Sequence, residues 1–325
     1  MDTAPAAKAS IHAQTPPKRR ALLFLVLPPA LWLLCFLVLP YLGLFFQSFL
    51  GTNDLGDVVL EPSLDAWKAF FTKTLYRSTL LYTFKIALTV TSLAVLFSVP
   101  LAYFIAFKVR RGKELLYSLI IVPLWVSYIV RAYAWKIILG REGILNSFLQ
   151  WAKITDAPVE AFLYSEWAII IGLVHIYTPF VLMPVYTAFE QIPRSLVEAS
   201  KDLGAGRITT FFRVVLPLSL PGVIAGGTFA FVLTLGDFLA PVLLGGTDNL
   251  MISNVVQNLF GTSNDRPLGS VVGIVLLVVV VALLETTSRA EKSFASLESG
   301  RGRGGLGAQP GSSGRSPHRP TGGAR

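Results

Sequence analysis

The chain has 325 residues, of which 53% are hydrophobic and only 14% charged, whereas soluble domains carry about 25% charged residues. That balance excludes a single soluble globular domain and places the chain in the membrane class. The net charge of +9 would suggest nucleic acid for a soluble protein, but here the cations must first be sorted by loop. The single cysteine, Cys35, lies inside an apolar run, so no intrachain disulfide is possible.

Residues 1–20 are polar, rich in Ala and Pro, and end Lys18-Arg19-Arg20; they read as a disordered tail. The run from Ala21 to Asn53 then carries no charge over 33 residues. A cleavable signal has an apolar core of about 7–15 residues, so this run is expected to stay as an anchor. The same length argues against reading the twin arginines as an export signal. Leu34 before Cys35 is too bulky for a lipoprotein cleavage site. With roughly 20 apolar residues needed to cross a bilayer, six spans fall near 22–48, 80–107, 115–139, 167–189, 214–243 and 268–285. Prolines within or beside several of them, such as Pro100, Pro123, Pro184 and Pro221, imply kinked helices in a packed bundle. The outer segment 51–79 suits either a small helix on the membrane face or a loop. The segment from residue 291 to 325 turns Gly-, Ser-, Arg- and Pro-rich and reads as a second disordered tail, whose arginines suit a soluble tail or contact with anionic lipid.

Lys and Arg set the orientation. If the N-terminus is inside, the inner segments hold 19 of them and the outer segments 6, with Lys85, Arg131 and Lys136 inside spans. Both termini are therefore expected in the cytoplasm, and so is the longest polar segment between spans, residues 190–222.

That segment has internal order. Pro193 suits the first turn of a helix. Leu196, Ala199, Ser200 and Leu203 fall on one helical face, with Arg194, Glu198, Lys201 and Asp202 elsewhere. Arg194 and Glu198 are spaced as an i,i+4 pair. Gly204 suits a left-handed helix end, and a second short helix runs from about Thr209 to Val215 into Leu216-Pro217. Periodicity alone allows a plain solvated connector. The order Glu198-Ala199-Ser200, Gly204, then Leu216-Pro217 resembles the EAA loop of ABC-transporter permease subunits, with Ser200 in place of the third small residue. The resemblance implies an all-α integral membrane fold of six transmembrane helices, the type I ABC importer permease (MetI-like) fold. It also implies that residues 190–222 form a coupling loop, with Glu198, Ala199, Ser200, Asp202, Gly204, Leu216 and Pro217 its marked positions, which docks on an ATP-hydrolysing subunit.

No enzymatic constellation appears. Gly112-Lys113 is followed by Glu114 and lacks the upstream glycine of a phosphate loop, so the chain is not expected to bind ATP. His12, His175 and His318 have no metal-ligand spacing. His175, in an apolar span, is either a packed, hydrogen-bonded residue or a pore-lining one. Lys85 sits at the outer end of the second span, where its side chain can snorkel to the interface. Arg131 and Asp237 lie late in outward-running spans. A charge in lipid costs at least about 2.5–3.5 kcal/mol, so each is expected to face the bundle and have a partner. Either they pair with each other, or Asp237 meets a cationic solute.

Around these two residues, V-R-A-Y-A-W with L-G-R-E-G, and L-G-D-F-L-A-P-V-L-L-G-G, together with S-V-P-L-A-Y-F-I-A in the second span, look like the spermidine/putrescine branch of these permeases. The likeness covers most of residues 75–285. It implies one permease subunit of an ATP-driven importer with a polyamine as cargo. A solute path would pass Asp237, Arg131, Tyr133 and Trp135. The implied partners are an ABC ATPase subunit dimer, a second permease of like fold, a periplasmic or extracellular substrate-binding protein and membrane lipid, with no nucleic acid. ATP and Mg would reside in the ATPase, and no cofactor or metal on this chain. Permeases for iron, phosphonate, sulfate and opines or amino acids share this vocabulary and stay open as alternatives. A stand-alone secondary transporter would need an inverted repeat or a proton relay, and a membrane enzyme would need converging catalytic groups; the sequence shows neither.

Overall fold

A computed structural model describes residues 19–53 and 58–304. The tails expected at 1–20 and 291–325 fall mostly outside these residues, although backbone helix is present at Arg19–Arg20 and over 291–304. The described chain is helical apart from one small hairpin. It divides into two compact units, Met1–Thr72 with Asn258–Ile274, and Lys73–Gln257 with Val275–Arg325.

In the first unit, α1 (Arg19–Leu33), a π-helical turn (Leu34–Val38) and α2 (Leu39–Gln47) make one apolar rod. Its membrane-length window, within Phe24–Gln47, buries none of its residues inside the chain. The outer segment, read as a surface helix or a loop, is partly strand. Strands β1 (Leu50–Thr52) and β2 (Val58–Pro62) pair antiparallel, with Gly51 opposite Val59. Only then does α3 (Asp65–Thr72) begin. Ser63 starts it: its hydroxyl donates to Asp65 Oδ2 at 2.8 Å and accepts the Asp65 N–H at 3.0 Å. Phe70 is buried, and Trp67 stacks toward Phe71.

The second unit opens with α4 (Thr74–Tyr103), prolonged by a π turn to Lys108. Gly112 (φ +74°) turns the chain into α5 (Lys113–Ile121). The span expected at 115–139 is not one straight helix. A 3-10 turn, Val122–Trp125, intervenes before α6 (Tyr128–Leu139), and the two halves are bent by 92°. Pro123 lacks the N–H that would continue the helical ladder, and Val126 is extended (φ −80°, ψ 135°). Then follow α7 (Ile144–Trp151), α8 (Glu166–Glu190), α9 (Arg194–Asp202), α10 (Arg207–Thr210) with a π turn to Val215, α11 (Leu216–Leu235), a π turn (Pro241–Gly245), α12 (Ile252–Phe260) and α13 (Arg266–Gly304). Among the described residues, five helices are long and apolar enough to cross a membrane, six if the bent pair is counted as one span. The fifth span ends at Leu235 rather than 243, because Gly236 and Asp237 break it.

The core of this unit is the packing of α4, α8 and α11 around Ile86, Val90, Leu173, Ile176 and Val181, all buried. Close approach of α8 and α11 depends on glycine. A Cβ on Gly226 would lie 2.8 Å from the Val181 carbonyl oxygen, and one on Gly222 2.6 Å from that of Pro184. Small residues at such crossings let backbones meet where lipid supplies no hydrophobic drive between helices.

Candidate functional site

The coupling-loop residues are brought together as two short helices. Pro193 (φ −60°, ψ 130°) stands just ahead of α9 rather than inside its first turn. The helix ends on Gly204 at φ +83°. There the Ala205 N–H reaches Ser200 O at 3.1 Å and the Gly204 N–H reaches Lys201 O at 2.8 Å. This is the double closure that a left-handed residue after a helix allows. Glu198, Ala199 and Asp202 are exposed. The expected Arg194–Glu198 pair is absent from the ion pairs of the described residues.

The expected face splits. Leu196 (45% exposed) and Leu203 (88%) point outward, together with Ile208 and Phe212 beyond. Ser200 turns inward instead, and its hydroxyl lies 3.1 Å from that of Thr210. The residue that departs from the E-A-A pattern thus bridges α9 to α10. Pro217 follows directly on the π turn Phe211–Val215, a local widening of the helix at the point where the proline supplies no N–H to the ladder, and Leu216 is half-buried. The second short helix starts at Arg207, earlier than Thr209, and runs on through its π turn as the fifth span, Arg207–Leu235.

Beneath the loop, the C-terminal ends of α4 (with its π turn) and α8 and the π turn before α11 meet in an aromatic cluster. Tyr103 lies edge-on to Phe189 at 6.2 Å and to Phe211 at 5.2 Å, and Phe107 to Phe189 at 6.0 Å. A cleft of about 520 Å³ opens between α8, the start of α9 and α11, lined by Pro184, Ala188, Leu196, Leu218, Pro221 and Gly222. Sequence reasoning missed the cluster; four aromatics spread over 109 positions leave no local pattern.

Toward the other end of the spans, Asp237 is buried and does not touch Arg131. Its Oδ1 accepts the N–H groups of Leu239 and Ala240, both at 3.0 Å. Its Oδ2 accepts the phenols of Tyr177, at 2.6 Å, and Tyr128. A carboxylate offers about four acceptor positions, and here all are taken. Ser253 and Asn254 hold the adjoining carbonyls of Asp237 and Phe238, at 2.5 and 2.7 Å. The expected Arg131–Asp237 pair is replaced by tyrosine, because two phenols and two amides satisfy a buried carboxylate without a second buried charge. Nothing in the sequence flagged Tyr128 and Tyr177, which lie 109 and 60 residues away.

Arg131 instead lies over the Tyr128 ring at 6.0 Å and donates to the Ile176 carbonyl at 3.4 Å. Trp135 donates to His175 Nδ1 at 3.1 Å, so His175 is hydrogen-bonded, yet it is exposed on α8 rather than packed in the core. Tyr133 is half-exposed, with Lys136 5.9 Å from its ring centre and 5.8 Å from that of Tyr164. Lys85 pairs with Glu166 at 2.7 Å. No cluster of three metal-ligating side chains occurs among the described residues.

Residues 98–288 match the family described as binding-protein-dependent transport system inner membrane component. The chain belongs to that family. The matched stretch contains the coupling loop, Arg131 and Asp237 alike. This permease is 36% identical over 253 residues to the spermidine/putrescine transport system permease protein PotB of Escherichia coli (strain K12), covering 78% of this chain and 91% of that one. It is 38% identical over 202 residues to the protein of the same description from Haemophilus influenzae, covering 62% and 70%. Among solved structures, it resembles a bacterial ABC transporter involved in the import of the acidic polysaccharide alginate, with a TM-score of 0.66 over 85% of this chain and 96% of that chain. The 20% identity there speaks to fold alone, and the fold is that of a type I ABC importer permease.

Proposed function

We propose that this permease forms half of the membrane path of an ATP-driven importer whose cargo is a polyamine. The observation that carries the reading is the 36% identity, over 253 residues, to spermidine/putrescine permeases. The coupling loop supports the ATP-driven part. Its outer surface mixes apolar Leu203, Ile208 and Phe212 with charged Glu198, Lys201, Asp202 and Arg207, which suits a groove on another protein rather than water.

In this scheme two ATPase subunits, which hold ATP and Mg, close on nucleotide and draw the coupling helices of two like permeases together. The spans switch from inward-open to outward-open, and an external binding protein releases its cargo into the path. Glu198 meets donors in the ATPase groove, and Gly204 keeps the elbow between α9 and α10. Both termini and the loop lie in the cytoplasm in this scheme, the side that the excess of Lys and Arg favours. Tyr133 and Trp135 offer aromatic faces to a cation. Asp237 reaches one only by giving up the phenol of Tyr128 or Tyr177.

The test is reconstitution in nanodiscs with an ABC ATPase and a substrate-binding protein from the same organism. Spermidine or putrescine should stimulate ATP hydrolysis, and Glu198→Lys should abolish the stimulation. Stimulation by another solute but not by polyamines would refute the cargo. Full stimulation in Glu198→Lys would refute the role of the loop.

A further inference from the structure

The inner ends of α5 and α8 are joined by two contacts in register. Lys113, the first residue of α5, donates to Oε1 of Glu190, the last residue of α8. The two side chains keep only 22% and 39% of their exposure. One turn further on, Tyr117 stacks on Tyr186 with ring centres 4.5 Å apart and planes at 27°. The Lys113 ammonium also lies 6.0 Å from the Tyr186 ring centre. Residues four apart on one helix therefore grip residues four apart on the other.

Two features make this joint more than one packing contact among many. First, α5 buries none of its own residues, and only Tyr117 and Ile120 rest partly against the core. Little else fixes its position. Second, only Gln191, Ile192 and Pro193 separate Glu190 from the start of α9. Ile192 is buried and Pro193 has a ring-locked φ, so this link is short and stiff. Beyond its other end, α5 leads through the 92° bend into α6, whose Tyr128 holds Asp237.

We infer that Lys113 and Glu190 form the joint through which movement of the coupling helix α9 is passed to the broken third span. They are positioning residues: neither touches nucleotide or cargo. The inference rests on the coupling role proposed for α9, and it adds a second output from that helix besides the direct run of α10 into α11. Displacing α9 swings Glu190. The ion pair and the stacked tyrosines then carry α5 along, and α6 changes its hold on Asp237.

The test is a charge exchange in the complete transporter, with ATPase and binding protein, in nanodiscs. Lys113→Glu and Glu190→Lys should each co-purify the ATPase in normal amount and keep basal hydrolysis. Each should lose solute-stimulated hydrolysis by about tenfold, the scale of coupling changes made by residues remote from both ligands. The double exchange restores the pair with opposite polarity and should recover stimulation to within about twofold. Glu190→Gln keeps the shape of the side chain and should lose stimulation in the same direction; it carries the test if charge reversal blocks assembly. Normal stimulation in the single variants, or no recovery in a well-assembled double variant, refutes the joint. Glu198→Lys measured alongside separates the two ideas. If it uncouples while the Lys113 and Glu190 variants stay coupled, the joint alone falls. If Glu198→Lys stays coupled, the role of α9 falls and the joint with it.

Discussion

The phenol of Tyr177 donates to the Asp237 carboxylate across 2.6 Å and so ties α8 to the turn that ends α11. Losing a hydrogen bond to a buried charged acceptor costs about 1.5–3 kcal/mol. Tyr177→Phe should therefore lower the melting temperature of the purified permease while the chain still inserts. Asp237→Asn separates anchor from cargo contact. The anchor predicts poor assembly and early melting. A cargo contact predicts normal assembly with uptake lost.

The crossing of α8 and α11 makes a steric prediction. Gly226→Ala places a methyl group 2.8 Å from the Val181 carbonyl oxygen, and overpacking of this kind costs about 1–3 kcal/mol. Gly273→Ala, where nothing lies within 4 Å of the new Cβ, should be neutral or slightly stabilising. Thermal unfolding of the two variants in one detergent makes the comparison.

Gly204 predicts the opposite pattern, strain without a clash. Its φ is +83° and no atom lies within 4 Å of an added Cβ. Gly204→Ala should cost about 1–2 kcal/mol locally, leave bundle melting unchanged and weaken solute-stimulated ATP hydrolysis. Gly206→Ala, equally open but outside the left-handed region, should leave both unchanged.

Ser200 and Thr210 face each other at 3.1 Å. Ser200→Ala should loosen α9 from α10 by about 0.5–1.5 kcal/mol, and Ser200→Thr should retain the bridge. Hydrogen exchange of the α9 amides reads the difference: faster in the alanine variant, unchanged in the threonine variant.

Much of this architecture was legible in local pattern. Long uncharged runs located the spans, because apolar length is a property of neighbouring residues. Gly204 marked the end of α9 for the same reason, since turns and caps are local chemistry, whereas Leu216-Pro217 lies within the continuous run Arg207–Leu235. What stayed hidden was non-local. The partner of Asp237 could not be guessed from charge, because the bundle satisfied it with Tyr128 and Tyr177 rather than Arg131. The break in the third span was signalled only by Pro123, and prolines such as Pro184 sit inside an unbroken α8. The inward turn of Ser200 depended on where α10 would fold back.

The central claim is that residues 190–222 face the cytoplasm, where a nucleotide-driven partner can grip them. The most direct test places a single cysteine there, Lys201→Cys with Cys35→Ala, and treats intact cells with a membrane-impermeant maleimide. The account predicts no labelling until the cells are opened, and protection in opened cells when the ATPase is bound. Labelling from outside in intact cells would contradict it.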